Sequence, residues 1–565
     1  MKSVKRNPFV FGGAACALVL VFAAWMLAQP TAAESPRLER YLPAETIGFV
    51  EVNNLRQQAL QVMDSEAWRA FTQNNQAAGA LFMMGANHTG VLDASYAVAL
   101  VGAGEGASAD GARHPQFVLV AEFTSAEARK TFENRALRML RQVKDSNAAA
   151  QAETYSGVEI HTLGAATHRA AYAQVGDTLF VSNSTQAIKK VLDVQAGRAK
   201  NLEANARFVE ARTRAPYAGG LFGFLDAAAL GRLVETIPAE GKKGVAAFRQ
   251  LFQGAGADSV QSVALTSSFV EGRVTERVVV TAEDKATGLL HTLASNPPTS
   301  QALVALVPEE ATQVFDASIG NAAQSFDELT VLLDQVAEQH GKKTVAEALQ
   351  ELTDKTKVDV RGEIIGALGA EVCLAQLPVE GGTRAGVLIL NLKEPARFAS
   401  AIAKAAEFRK RALTTRDYKG SQVTRAEREG RTHFYALLGN NFVASDNERA
   451  VERVIETAQG GRSLAASAAY RAASASTPAN PLFVYYNSNA DYLSRLNGML
   501  LGGGGTQGAK SQGAGLRPSF AYAVAQGGGF LFESRSPLGT FPRLLAMVTS
   551  KMARGEAAGS KSKSE

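Results

Sequence analysis

The sequence predicts an α+β chain of two duplicated domains, each a largely antiparallel sheet with packed helices, behind an N-terminal apolar helix. Three observations carry that prediction. Short apolar runs and turn signals are mixed with amphipathic stretches, but without the strict strand–helix alternation of a doubly wound sheet. A set of motifs recurs once, in one order, at an offset of 261–269 residues. The 565 residues exceed what one ordinary core organises, and at 46% hydrophobic they supply apolar surface for more than one.

The first element is an export segment. Lys2, Lys5 and Arg6 precede an uncharged, mostly apolar run from Phe9 to Leu27. As a helix, rising about 1.5 Å per residue, this run reaches roughly 28 Å, close to a hydrocarbon core. Small residues at Thr31 and Ala33 also suit a signal peptidase. Residues 1–33 therefore read as a signal anchor, positive end inside, or as a signal peptide cleaved near Ala33. The first reading gives a cytoplasmic-membrane protein with a periplasmic or extracellular body, the second a secreted periplasmic one. Gly13-Ala-Ala-Cys16 lacks the large aliphatic residue of a lipoprotein site.

In the first copy, Thr46–Val52 should be a strand entered through a Pro turn, followed by a helical region over Leu55–Met84. Strands are expected at Ser95–Val101 and Gln116–Phe123, with a Gly/Ala/Ser loop between them. Thr124-Ser-Ala-Glu127 is a capping-box pattern, and Ala128, Phe132, Ala136 and Leu140 follow on one helical face. Gly157–Thr162, Ala170–Val175 and Thr178–Ser182 read as short strands, the last two joined by a tight turn at Gly176-Asp177. A helix, a Gly197-Arg198 turn and a second helix lead to a strand at Gly220–Leu225. Ser262–Phe269 and Arg273–Thr281 close the copy around Glu271-Gly272.

The second copy repeats this order. Leu42-Pro-Ala-Glu is echoed by Val307-Pro-Glu-Glu, and Phe117–Phe123 by Gly386–Leu392, whose helix opens at Glu394-Pro395. Tyr172–Ser182 is echoed by Tyr435–Ser445, with Gly439-Asn440 at the turn. Leu202 and Phe208 are echoed by Leu464 and Tyr470, and the closing strands by Phe520–Gln526 and Gly529–Ser534. Consecutive prolines in Asn296-Pro-Pro-Thr299 mark the boundary. The domains are thus 36–295 and 301–550, with a Pro-rich linker at 296–300 and a disordered tail at 551–565. Gly502–Gly515 reads as a mobile loop.

The charge and the chemistry are sparse. Of the net +5, the residues before Glu34 and the tail from Lys551 hold all the excess, so the body is neutral and no nucleic-acid surface is expected. Two cysteines, Cys16 and Cys373, make no disulfide framework, and Cys373 lies in an apolar run that suits a buried strand. Seven scattered histidines include no metal-ligand spacing, although His161 and His168 flank one hairpin. There is no Gly-x-Ser-x-Gly elbow, and the glycine run at 503–508 puts Lys510 one place late for a P-loop. Glu45 and Glu51, echoed by Glu310 and Asp316, place acids at both ends of one strand. A general acid/base pair is built that way, but strand ends are ordinarily solvated, and duplication preserves turn chemistry equally well. Arg409-Lys-Arg411, Arg425, Arg428 and Arg431 form a basic surface beside Tyr418. The acids Asp417, Glu427 and Glu429 are interleaved there, as on a salt-bridged solvated face.

The Leu42-Pro-Ala-Glu-Thr-Ile-Gly-Phe-Val-Glu-Val52 motif, with Gly176-Asp-Thr-Leu-Phe-Val-Ser182, a helix, and Leu202 ahead of Phe208, resembles exported bacterial proteins grouped as domain of unknown function 3352. The resemblance runs from about Leu38 to Ala546. It implies an envelope protein with an N-terminal apolar segment, and it brings no catalytic residue, cofactor or metal. Val307-Pro-Glu-Glu310 is a looser version of the motif. The expected function is a non-catalytic envelope binding or scaffolding protein with an envelope or cell-surface partner. The alternative is an extracytoplasmic hydrolase with dispersed acidic catalytic residues. A deep pocket with converging acids or histidines favours the hydrolase, and a shallow apolar or charged groove favours binding.

Overall fold

The computed structural model describes residues 37–74, 91–105, 113–142, 151–163, 170–216, 219–235, 256–283, 288–339, 343–380, 383–408, 412–428, 431–490, 516–527, 529–537 and 539. The N-terminal apolar run, Gly502–Gly515 and the tail lie outside them. Among the described residues no helix is long and apolar enough to cross a membrane. Among the described residues, twelve α-helices and twenty strands make the chain α+β, and the strand pairs Gly48–Val52 with Ala94–Glu105, Gln313–Ser318 with Leu368–Pro378 and Arg113–Phe123 with Thr178–Ser182, among others, are antiparallel. By contacts it divides into two compact units. The first comprises Met1–Glu240, Gln261–Val280 and Ser534–Glu565, the second Gly241–Val260 and Thr281–Glu533.

The first unit opens with a 3-10 turn at Leu38–Tyr41 and β1 (Gly48–Val52). Helices α1 (Leu55–Asp64) and α2 (Glu66–Asn74) occupy the first part of the expected helical region. The strands β2 (Ala94–Glu105) and β3 (Arg113–Phe123) run further into the Gly/Ala segment than their apolar stretches suggest, past a register shift between Leu100 and Gly102. After α3 (Ala126–Gln142) come β4 (Gln151–Tyr155), β5 (Val158–Leu163), β6 (Ala170–Val175) and β7 (Thr178–Ser182). Then come α4 (Thr185–Gln195), α5 (Ala206–Arg214), β8 (Leu221–Asp226), α6 (Ala227–Glu235), β9 (Val260–Val270) and β10 (Arg273–Ala282). Pairing sets the sheet order β4-β5-β6-β7-β3-β2-β1-β8-β9-β10.

In the second unit α7 (Gly288–Ala294) is followed by β11 (Gln313–Ser318), α8 (Ala322–Gln339) and α9 (Val345–Thr356). Next are β12 (Leu368–Pro378), β13 (Arg384–Leu392), α10 (Pro395–Phe408), β14 (Ala412–Tyr418), β15 (Ser421–Arg428), β16 (Arg431–Leu438) and β17 (Asn441–Ser445). The unit ends with α11 (Glu448–Ala458), α12 (Ala468–Ser474), β18 (Phe483–Asn487), β19 (Ser519–Gln526) and β20 (Gly529–Ser536). Its sheet order is β14-β15-β16-β17-β13-β12-β11-β18-β19-β20.

Local chemistry explains several boundaries. Gly176 and Gly439 both sit at φ +59° in the β6–β7 and β16–β17 turns, and a Cβ there would meet nothing within 4 Å. The dihedral rather than crowding therefore calls for glycine. Two expectations change. Thr124 is not the cap of α3: its hydroxyl bonds Asp93 O, and Ser125 Oγ accepts from Ala128 N at 3.2 Å. The segment 296–300 is not a free connector either, because Thr299 is buried and its N–H donates to Pro481 O at 2.8 Å. The prolines stop α7, and the hydroxyl residues after them fasten the chain to the second unit.

Helix α11 shows how pattern becomes core. Ala450, Val451, Val454 and Ile455 are buried on one face against Val387, Val443 and Ile389. Asn447 caps its start, the side chain accepting from Ala450 N at 3.1 Å. Asn447→Ala is expected to remove about 1 kcal/mol, read as a lower urea midpoint at unchanged slope.

Candidate functional site

The two faces of the second unit's sheet differ. Alternation turns Cys373, Ala375 and Leu377 of β12, with Val387 and Ile389 of β13, into the core. It turns Leu374, Gly386 and Leu388 to the other side, where α10 lies. Near its start α10 closes on the sheet through Phe398, whose ring is 5.0 Å from that of Phe442, with Leu390 and Leu392 beside them. Further along, the helix offers only Ile402, Ala405 and Ala406. Small helical side chains and a strand glycine line the space left between the layers. The result is an open, largely apolar pocket of about 760 Å³, with Leu374 half exposed on its floor. A Cβ at Gly386 would meet nothing within 4 Å. Polar groups are few. Ser445 Oγ donates to Gly386 O at 2.8 Å, while His433 and Asp446 stand at one end.

The acids sort differently from their expected solvated positions. Glu45 is exposed, outside β1, 3.6 Å from Lys190. Glu51 is fully buried, because β1 runs between β2 and β8 with both faces covered. Phe49 and Glu51 share a strand face, and Phe208 and Arg212, one turn apart, share a face of α5. The match seats Phe49 on Phe208 at 5.8 Å between ring centroids, and Glu51 Oε1 on Arg212 at 3.4 Å. Arg212 also holds buried Glu39 at 3.1 Å, and Leu38 N donates to Glu51 Oε2 at 3.3 Å. Burial, then the Glu39 charge, push the Glu51 carboxyl up to about 8 against the pull of Arg212.

In the second unit Asp316 is fully buried on β11 opposite Cys373. Thr299 Oγ1 donates to its Oδ2 at 2.8 Å. Nearby Glu371 accepts from Ser300 Oγ at 2.5 Å and from Leu303 N at 3.1 Å. One turn after Tyr470 stands Ser474, where α5 carries Arg212 one turn after Phe208. Burial, then the Glu371 charge, push the Asp316 carboxyl up to about 8. Among the described residues Asp316 Oδ1 has no hydrogen-bond partner. Glu310, at the start of the β11 segment, pairs with Arg453 instead. The recurring acids are thus not brought together as one acid/base pair.

His161 stacks on Tyr172 at 4.9 Å and lies 3.5 Å from Glu159, while His168 lies outside the described residues. Cys373 is fully buried, and burial with the nearby Asp316 and Glu371 charges raises its thiol pKa. Arg425 pairs with Glu427 at 2.6 Å, and 409–411 lie outside the described residues. Tyr418 faces α11, donating to Glu456 Oε1 at 2.6 Å, as Tyr155 faces α4 and bonds Asp193 at 3.0 Å. Among the described residues no group of three or more His, Cys, Asp or Glu is placed to hold a metal ion. The pocket itself escaped sequence reasoning. Its signal was apolar side chains on both faces of 372–375 and 386–390, which reads only as a doubly covered strand.

Residues 286–501 match the family described as "Protein of unknown function (DUF3352)". The match lies within the second unit, a narrower stretch than the motifs from Leu38 to Ala546 suggested. No curated protein and no solved structure matches the chain.

Proposed function

We propose, from the premise that residues 286–501 belong to the DUF3352 family, that the chain is an exported, non-catalytic binding protein of the cell envelope. It is built from two duplicated domains and either tethered by residues 1–33 or released by cleavage near Ala33. The observation that carries this reading is the apolar pocket under α10, open to solvent and lined by small and aliphatic side chains. The acids a hydrolase would recruit, Glu51 and Asp316, are closed off inside their units instead. Duplication is supported by the strand order of the two sheets, by Tyr172 in β6 and Tyr435 in β16, and by the left-handed turns at Gly176 and Gly439.

Two measurements test the proposal. A reporter fused after Ser564 is expected to work only outside the cytoplasm, and activity confined to the cytoplasm overturns the export assignment. A photocrosslinking residue at Leu388 in intact cells is expected to yield one discrete adduct. Turnover of an envelope substrate by the purified chain, abolished by His433→Ala, overturns the binding reading in favour of an enzyme.

A further inference from the structure

We propose that the pocket under α10 holds the single hydrocarbon chain of a long-chain fatty acid, an inference that rests on the binding reading above. The pocket is ill suited to a peptide. Its floor strands are paired on both edges: β11 with β12 and β18, β12 with β11 and β13, β13 with β12 and β17. A peptide laid there would find no free strand edge to extend, and its N–H and C=O groups would lose water without gaining partners. A hydrocarbon chain carries no such groups, and each CH2 taken from water onto this surface is worth about 0.8 kcal/mol.

Size and charge narrow the choice. About 760 Å³ lies within the roughly 300–1,000 Å³ range of sites for single small ligands. A flat docking face for a folded partner is a different object, needing about 800 Å² per side. Two arginines stand beyond the end of the pocket where β16 begins, outside its lining residues. Alternation puts exposed Arg431 on the strand face of His433, two residues beyond it, and puts Arg384 two residues beyond Gly386 on β13. The register Val387–Ser445 and Ser445–Phe434 brings those two strand ends to the same side of the sheet. Arg431 has no ion-pair partner among the described residues, and Asp446 is the acid on the pocket wall. A carboxylate at that end, with its chain running toward Tyr435 and Phe442, satisfies both halves of the site.

Gly386 makes the test clean. Its backbone is outside the left-handed region and the space above it is empty, so a larger side chain there enters the pocket without backbone strain. The full-length protein is titrated with stearic acid, displacing fluorescent parinaric acid. Saturable, equimolar binding is expected, weakened at least tenfold by Gly386→Phe with the urea midpoint kept. Leu374→Lys, on the half-exposed floor, should weaken it likewise and serves if Gly386→Phe fails to fold. Arg431→Glu should weaken stearic acid but not stearyl alcohol. Binding untouched by both pocket variants overturns the assignment, as does binding of phospholipid vesicles or an apolar peptide in place of stearic acid. Equal affinity for the alcohol overturns the carboxylate end. A protein adduct from Leu388 without stearate binding rejects the fatty acid and leaves the binding function standing.

Discussion

Arg212→Ala is expected to destabilise the first unit by about 3–5 kcal/mol, the usual cost of stripping a buried charge of its partner. Arg212 is the cation shared by Glu39 and Glu51, and both acids are essentially without solvent. Its guanidinium also lies over the Phe222 ring, 4.9 Å from the centroid, so truncation removes packing as well. The loss should depend on pH. Well below pH 8 the Glu51 carboxyl keeps its proton and needs the cation less. Above about pH 8 the Glu51 proton is no longer held and the loss is greatest. Urea unfolding of wild type and variant at pH 4 and pH 9 measures this directly. A difference of under 1 kcal/mol at pH 9 would show that Arg212 does not neutralise the pair. Arg212→Lys keeps the charge and should recover part of the loss, but not the two-sided geometry.

The second large effect is a pH slope whose sign runs against the usual one for carboxylates. Glu51 and Asp316 have folded pKa values raised to about 8, against roughly 4 in an unfolded chain. Between those values the folded chain holds the extra proton. The stability they contribute is therefore full below about pH 4 and is lost as pH rises toward 8, at up to about 1.4 kcal/mol per pH unit per proton. Surface acids such as Asp327 and Glu456, held low by Arg361 and by the Tyr418 hydroxyl, work in the opposite sense, and their contribution is lost as pH falls. Asp316→Asn separates the two. The amide can still accept from Thr299 and can donate to Glu371, with no charge to bury. The variant should equal wild type near pH 4 and exceed it by about 2–4 kcal/mol near pH 9. Parallel pH profiles for the two proteins would rule out a buried proton at this position.

The same residues show where sequence reading succeeds and stops. Alternating apolar positions place β6 and β7 at their observed limits, and Glu271-Gly272 at the final turn, because both signals act between near neighbours. β4 and β14 were missed for a physical reason as well. Nearly every residue of Gln151–Tyr155 and Ala412–Tyr418 is exposed, so these strands carry no apolar alternation to read. Glu51 looked like a solvated strand end because what buries it comes from afar: Arg212 is 161 positions away. The pocket was invisible for a related reason. Ala405, Ala406 and Gly386 line it together, and each taken alone is an unremarked small residue.

The hydroxyl contacts of Thr299 and Ser300 decide where this chain can be cut. A fragment beginning at Gln301, the cut that the proline pair invites, would discard the donors to both Asp316 and Glu371 and leave two acids in an apolar interior with fewer bonds. A fragment beginning at Thr281, where the second unit resumes, keeps them. When the protein is divided for expression, residues 296–300 belong with the C-terminal piece.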